Sequence, residues 1–367
     1  MTAAFIAAAI DVPSAQDLNG SHVQRWRPFP GAVYTMTNAP GGNAVLVFDR
    51  LADGRLVPAM SVPTGGQGTG GGLGNQGGLV LTSSERWLLA VNAGSHDVSV
   101  FGVRPSGLRL TDVEASGGSQ PVSIAEHRGL VYVLNAGTDS ITGFRLDRNG
   151  RLRPLSGSTR SLSGSGTAAA QVSFSPDGGV LLVTEKATNR LVTFTIDRDG
   201  LPGDALVQPS AGQTPFGFAF GKRDQVFVSE AFGGAPGASA TSSYEVDADG
   251  VLTPISVSIP TNQTANCWVV VTPNGRFAYV TNTGSGSISG YRIDFDGMIE
   301  LLDADGRTGV TGGGPIDLAL TDNGRFLYSL NGGANTIGVF RVNADGSLRA
   351  LPFAAGLPPG ANGLAAR

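Results

Sequence analysis

One phrase recurs seven times along this chain and constrains its fold more than any other feature. Each copy is an apolar run ending in a polar residue, a turn rich in Gly, Ser and Asn, and a second apolar run ending in an aromatic. A further turn follows, often with Gly-x-Leu. The clearest copy is Leu130 to Asn135, then Ile141 to Phe144, then Asp147-Arg-Asn-Gly150. The polar anchors are Asn38, Asn92, Asn135, Glu185, Glu230, Asn282 and Asn331, and their partner aromatics are Phe48, Phe101, Phe144, Phe194, Tyr244, Tyr291 and Phe340. Successive anchors stand 54, 43, 50, 45, 52 and 49 residues apart. A period of about 40–50 residues is that of a propeller blade.

Within each copy Val, Ile, Leu, Phe and Tyr alternate with period two, and no stretch carries a helical period. A further strand lies between copies, as at 172–174 before Ser-Pro176-Asp-Gly178 and at 268–271 before Thr-Pro273-Asn-Gly275. These Pro-Asp-Gly and Pro-Asn-Gly signals are hairpin turns. The expected fold is therefore all-β, a seven-bladed propeller of four-stranded antiparallel blades with strands A to D. Residues 1–30 hold no copy of the phrase and read as an N-terminal extension, with the propeller spanning 31–367. The first copy lacks its A strand, and a surplus A-like phrase occurs at 360–366. That segment is expected to complete blade one and close the ring, leaving no unpaired inner edge.

Composition agrees with a turn-rich β protein, with 55 glycines, 21 prolines and only 15% charged residues. The net charge is −4 and the 25 basic residues form no run, so nucleic acid is not an expected partner. A single cysteine, Cys267, excludes an intramolecular disulfide and a multi-cysteine metal site. The apolar stretch from Ala3 to Ile10 lacks a basic flank and is too short to span a membrane. A cytoplasmic location is the expectation, with a secreted or periplasmic one as the alternative.

Several stretches imitate chemical motifs. Asp147-x-Asn-Gly, Asp197-x-Asp-Gly, Asp247-x-Asp-Gly and Asp294-x-Asp-Gly lack the distal glutamate of a calcium loop and read as C–D hairpin turns. Gly66-x-Gly68-x-x-Gly71 matches a dinucleotide fingerprint by letter, but a strand follows it where the motif needs a helix. It reads as a flexible interblade loop. No cofactor and no metal are expected.

In a propeller the B–C and D–A loops surround one mouth of the central channel. Five anchors are Asn, which suits a tight turn. Glu185 and Glu230 break that column in adjacent blades, and glutamate is a poor turn former. Paired carboxylates can divide acid and base work if their surroundings separate their pKa values. The plain alternative is a salt bridge to a neighbouring Arg. Blade five also carries an insertion, 231–240, with glycine hinges and an apolar tip at Phe232. It suits a flap over a ligand or a tolerated insertion. Gln171, Asn266, Trp268 and Asp317 at A-strand starts, with His96 in a B–C loop, complete the candidate ligand-binding set. Trp268 has blade packing as its alternative role.

The repeated Ser-Pro-Asp-Gly…Val-x-(Asn/Glu)-x-x-x-(Asn/Ser)-x-(Ile/Val)-x-x-Phe resembles the seven-bladed lactonase family, over roughly residues 30–367. That family includes the propeller 6-phosphogluconolactonases and the fungal carboxymuconate-lactonizing enzymes. The resemblance implies that Glu230, in Val228-Ser-Glu230, stands in for the family's active-site glutamate. Glu185 and Arg190, in Thr184-Glu185…Asn189-Arg190-Leu191, match the family's acidic residue and arginine in type. The family's A-strand histidines are replaced in Ala170-Gln171-Val172 and Thr214-Pro215-Phe216. The expectation is a monomeric enzyme for a small lactone or oxygenated organic acid, with Glu230 and Glu185 as acid and base and Arg190 as a clamp. The alternative is a non-catalytic propeller that binds a protein or small ligand on its loop face.

Overall fold

The computed structural model describes residues 30–367; the expected N-terminal extension lies almost wholly outside them. Seven antiparallel sheets follow one another around a ring, and each has four strands running from the innermost, A, to the outermost, D. The A strands are Asn362–Ala366, Leu79–Leu81, Pro121–His127, Ala169–Phe174, Pro215–Phe220, Asn266–Val271 and Pro315–Leu320 for blades one to seven. Each A strand contacts the next, and Asn362–Ala366 contacts both Pro315–Leu320 and Leu79–Leu81, so the ring is complete.

Blade one is assembled from both ends of the chain. Its A strand pairs with Gly31–Met36, in the register Val33 to Ala366 and Tyr34 to Ala365. Ala44–Arg50 and Leu56–Pro63 complete the blade. Arg50 reinforces the closure, with Nε donating to the Arg367 carbonyl at 3.0 Å and Nη2 to that of Pro30 at 3.0 Å.

Burial follows strand position. The B strands, such as Val180–Glu185 and Phe277–Asn282, are buried at every residue because blades stack against both faces. They read as continuous apolar runs for that reason. The outer strand Leu56–Pro63 alternates between half-buried and exposed. In blades three and six the outer edge is broken into two short strands, Leu152–Pro154 with Arg160–Ser161 and Ile299–Leu301 with Gly309–Val310.

The Asp-x-x-Gly segments form the C–D turns. The Oδ1 atoms of Asp147, Asp197, Asp247 and Asp294 each accept two backbone N–H groups from within their own turn. The glycine carbonyls of such turns then dock the preceding blade. Tyr132 donates to Gly200, Tyr279 to Gly346 and Tyr328 to Gly54 at 2.7–2.9 Å, satisfying each buried phenol.

Candidate functional site

The two glutamate anchors occupy the ends of B strands and are wholly buried. Glu185 accepts the backbone N–H of Ser163 at 2.9 Å and the hydroxyls of Ser163 and Thr188. Glu230 accepts the N–H of Gly212 at 2.9 Å and the hydroxyls of Ser242 and Ser258. Ser163 and Gly212 lie in loops arriving from the preceding blade. Asn135 and Asn331 hold the equivalent loops with opposite polarity, donating to the carbonyls of Ser116 and Thr311. In these four blades the anchor is an amide where the loop offers a carbonyl and a carboxylate where it offers an N–H. Burial pushes the Glu230 carboxyl above the usual range, and its three hydrogen bonds oppose the shift.

Arg190 pairs with Glu185 along the backbone ladder, but its side chain is exposed and makes no ion pair with either glutamate. The expected convergence of two carboxylates and an arginine is therefore not what these residues form. Neither glutamate lines the cavities at the ring seam described below.

The other candidates are scattered. Gln171 spans to the next blade, accepting Phe218 N–H at 2.7 Å and donating to Phe218 O at 2.9 Å. Asn266 is buried and donates outward, to Ala240 O and the Thr241 hydroxyl of blade five. Asp317 accepts the N–H of Leu318, and burial pushes its carboxyl up to about 8. His96 is exposed, with Nδ1 accepting Gln120 N–H. Phe232 is half-buried at the start of a short 3-10 turn, its N–H bonded to Gln213 O. Trp268 packs on Phe216 with ring centroids 4.9 Å apart, and its indole N–H donates to Asn75 O.

That last contact exposes a correction. The glycine-rich segment links blades one and two as an exposed loop over 69–72, but its end, 75–78, is a largely buried staple across the ring. Asn75 and Gln76 are buried, and Gln76 bonds both backbone groups of Val269 in blade six. Asn75 bonds Val122 O in blade three and Asn362 in blade one. Gly217 leaves the room this requires, since a Cβ there would lie 2.1 Å from Gln76 Oε1. Gln76 thereby ties the segment to blade six through its side chain and to blade four through its own N–H, which donates to Ala170 O at 3.1 Å. Sequence reasoning missed this role because the partners lie 193 residues away.

Open space lies at the other end of the blades. The strand of blade one that ends at Ala366 has no A–B hairpin to the strand that begins at Gly31. Two cavities flank the resulting seam. One, of about 320 Å³, is lined by Arg50, Glu85, Asp322 and Arg367 among others. The second, of about 330 Å³, lies against the innermost strands of blades two, seven and one and shares Glu85 and Asp322.

Glu85 and Asp322 sit in A–B hairpins of blades two and seven. Glu85 occupies the turn position held by Gly178, Gly275 and Gly324 elsewhere, and like them has a left-handed backbone, with φ +52°. A non-glycine residue there carries strain of about 1–2 kcal/mol. Hydrogen bonding to Asp322, then burial and the Asp322 charge, push the Glu85 carboxyl up to about 7, while Arg367 and Arg50 pull it down. Arg367 Nε is buried without a hydrogen-bond partner. Glutamate at a glycine position of the repeated turn is a sequence signal that could have found this pair.

No family model matches the chain, and no curated protein matches it. Solved structures do. A candidate 6-phosphogluconolactonase of Bacteroides fragilis superposes with a TM-score of 0.73 at 18% identity, covering 97% of this chain and all of that one. A periplasmic gluconolactonase of Pseudomonas aeruginosa gives 0.71 at 19% identity, over 90% of this chain and 98% of that one. A Lactobacillus plantarum protein gives 0.73 at 16%, over 92% and 99%. The likeness is one of fold. This chain has the lactonase-like seven-bladed architecture from its first described strand to its last. Among the described residues no three His, Cys, Asp or Glu side chains gather as a metal-binding group.

Proposed function

We propose that this propeller is an enzyme that opens or closes a small lactone, with its reacting centre at the ring seam. The observation that carries this reading is that Glu85 and Asp322 lie together on the shared wall of two cavities, where the neighbouring Asp322 and burial push the Glu85 carboxyl up to about 7. A carboxyl that holds its proton into the neutral range beside a second carboxyl suits acid and base work near neutral pH. The fold likeness to gluconolactonases makes an ester ring the favoured substrate class.

In the ring-opening direction the ionised carboxylate takes a proton from water as its oxygen attacks the lactone carbonyl. The tetrahedral intermediate collapses with cleavage of the ring C–O bond, and the protonated carboxyl gives its proton to the leaving alkoxide. Lactone and water become a hydroxy acid. The unspent Arg367 donor is the group to meet the developing oxyanion or a substrate carboxylate, while Arg50 is committed to the seam carbonyls.

The test is turnover of δ-gluconolactone and muconolactone, followed by proton release across pH 5–9. Glu85→Gln should retain the fold and lose about 10²–10⁴-fold in rate, the usual worth of a general acid–base group. Full activity in both Glu85→Gln and Asp322→Asn would overturn the assignment.

A further inference from the structure

The two cavities at the seam share Glu85 and Asp322 and differ in the rest of their walls. The first, of about 320 Å³, adds Arg50, Arg367, Thr321 and Asn323 to that pair, with Pro30 and Gly31. The second, of about 330 Å³, is bounded by the innermost strands of blades two, seven and one. Nine of its thirteen lining residues are Leu, Val or Ala, and Glu85 and Asp322 are its only charged ones.

Among the apolar residues Val80, Leu81 and Leu320 are half-buried, so each still presents hydrocarbon to solvent. Thr82, one of the two hydroxyl residues on this wall, is buried and turned into its own hairpin. Its Oγ1 accepts the Trp87 N–H at 3.2 Å and donates to the Trp87 carbonyl at 3.3 Å. The innermost strands pair on one side only, so backbone groups of their free edges share the wall with these side chains.

Such a site sorts a ligand by polarity. Each cavity alone is near the lower limit of about 300 Å³ for a small-molecule pocket. A compact polyhydroxylated ring fits the first and gains nothing from the second. A ring that carries a hydrocarbon chain uses both. Its oxygens stay with the carboxyls, Asn323 and the unspent Arg367 donor, while the chain leaves water against leucine and valine.

We propose that the lactones this protein takes carry a medium-length alkyl chain, with the ring in the polar cavity at the seam and the chain in the leucine-lined cavity beside it. The placement of the ring rests on the lactone reading above; the cavity for the chain stands on its own lining.

The experiment uses the whole protein with δ-hexalactone, δ-octalactone and δ-decalactone, whose chains are methyl, propyl and pentyl. Dissociation constants are measured by calorimetry on Glu85→Gln, where ring opening is slowed, and kcat/KM on the unaltered protein. A methylene moved from water into a fully apolar site gains about fourfold in affinity, and the backbone groups on this wall hold the gain to about two- to fourfold. Affinity should therefore rise at least about 16-fold from δ-hexalactone to δ-decalactone. Leu81→Ser and Leu320→Ser, on walls from two different blades, should each weaken δ-decalactone severalfold more than δ-hexalactone. Equal affinities along the series, or variants that weaken both lactones alike, would overturn the proposal. Turnover separates this outcome from the lactone reading. Affinity that rises with chain length without ring opening would keep the chain site and overturn the enzyme, and ring opening indifferent to chain length would do the reverse.

Discussion

Gln76 and Val269 are 193 residues apart and joined at both ends of one side-chain amide. Nε2 donates to the Val269 carbonyl at 2.7 Å, and Oε1 accepts the Val269 N–H at 3.0 Å. The amide imitates a strand across the inner ring. Gln76→Ala should leave both buried backbone groups unpaired and cost about 1–3 kcal/mol for each. Gly217→Ala should act on the same contact from the other side, since its methyl would collide with Oε1. Melting curves of the two single variants and the double variant check this. The double should lose clearly less than the sum of the singles, because both break one contact.

The glutamate anchors lead to a different expectation. Glu230→Gln keeps an acceptor for Gly212 N–H and lets the Ser242 and Ser258 hydroxyls reorient, so it should be nearly neutral. Glu230→Asn shortens the arm and strands the Gly212 N–H, costing about 1–3 kcal/mol. Comparing their denaturant midpoints separates a loop-holding role from one that needs the charge.

Stability should fall as the solution is made alkaline through the neutral range. Glu85 and Asp317 hold their protons to about 7 and about 8, against model values of 4.5 and 3.8. The folded state therefore binds more protons than the unfolded chain between those limits. Their contribution is complete at low pH and is lost as pH rises through the folded pKa values. Glu230, also shifted upward, adds in the same direction. Lys186, shifted downward, contributes the opposite slope only above about 8. Melting temperature should decline between about pH 5 and 8. The decline should be shallower in Glu85→Gln and in Asp317→Asn.

Backbone strain at Glu85 gives a test that opposes stability to activity. Glu85→Gly restores the residue that blades four, six and seven use at this turn, and should stabilise the fold by about 1 kcal/mol. The same change removes the proposed acid–base group, so lactone turnover should collapse while the melting temperature rises. A stabilised variant that keeps its activity would separate the strain from the chemistry.

Removing residues 358–367 should strip blade one of its inner strand and leave Arg50 without its Arg367 carbonyl. The expected outcome is loss of cooperative unfolding. An unchanged transition would contradict the closure as a stabilising element.

The seven-fold phrase, read by itself, determined the ring, its blade count, its strand grammar and its closure by 360–366. Each of these rests on local patterning repeated many times, and alternation and turn chemistry act over a few residues. It also identified the Asp-x-x-Gly turns, whose carboxylates bond their own backbone. Sequence could mark Glu185 and Glu230 as exceptions, but the Ser163 and Gly212 N–H groups that occupy them arrive from another blade. The glycine-rich segment looked loose because local composition carries no trace of Asn362, Val122 or Val269. Only the closed ring brings those groups within hydrogen-bond reach. The Glu85–Asp322 pair belongs to tertiary structure for the same reason. Charge, burial and cavity shape are set by groups that ring closure juxtaposes, and no periodicity along the chain encodes them.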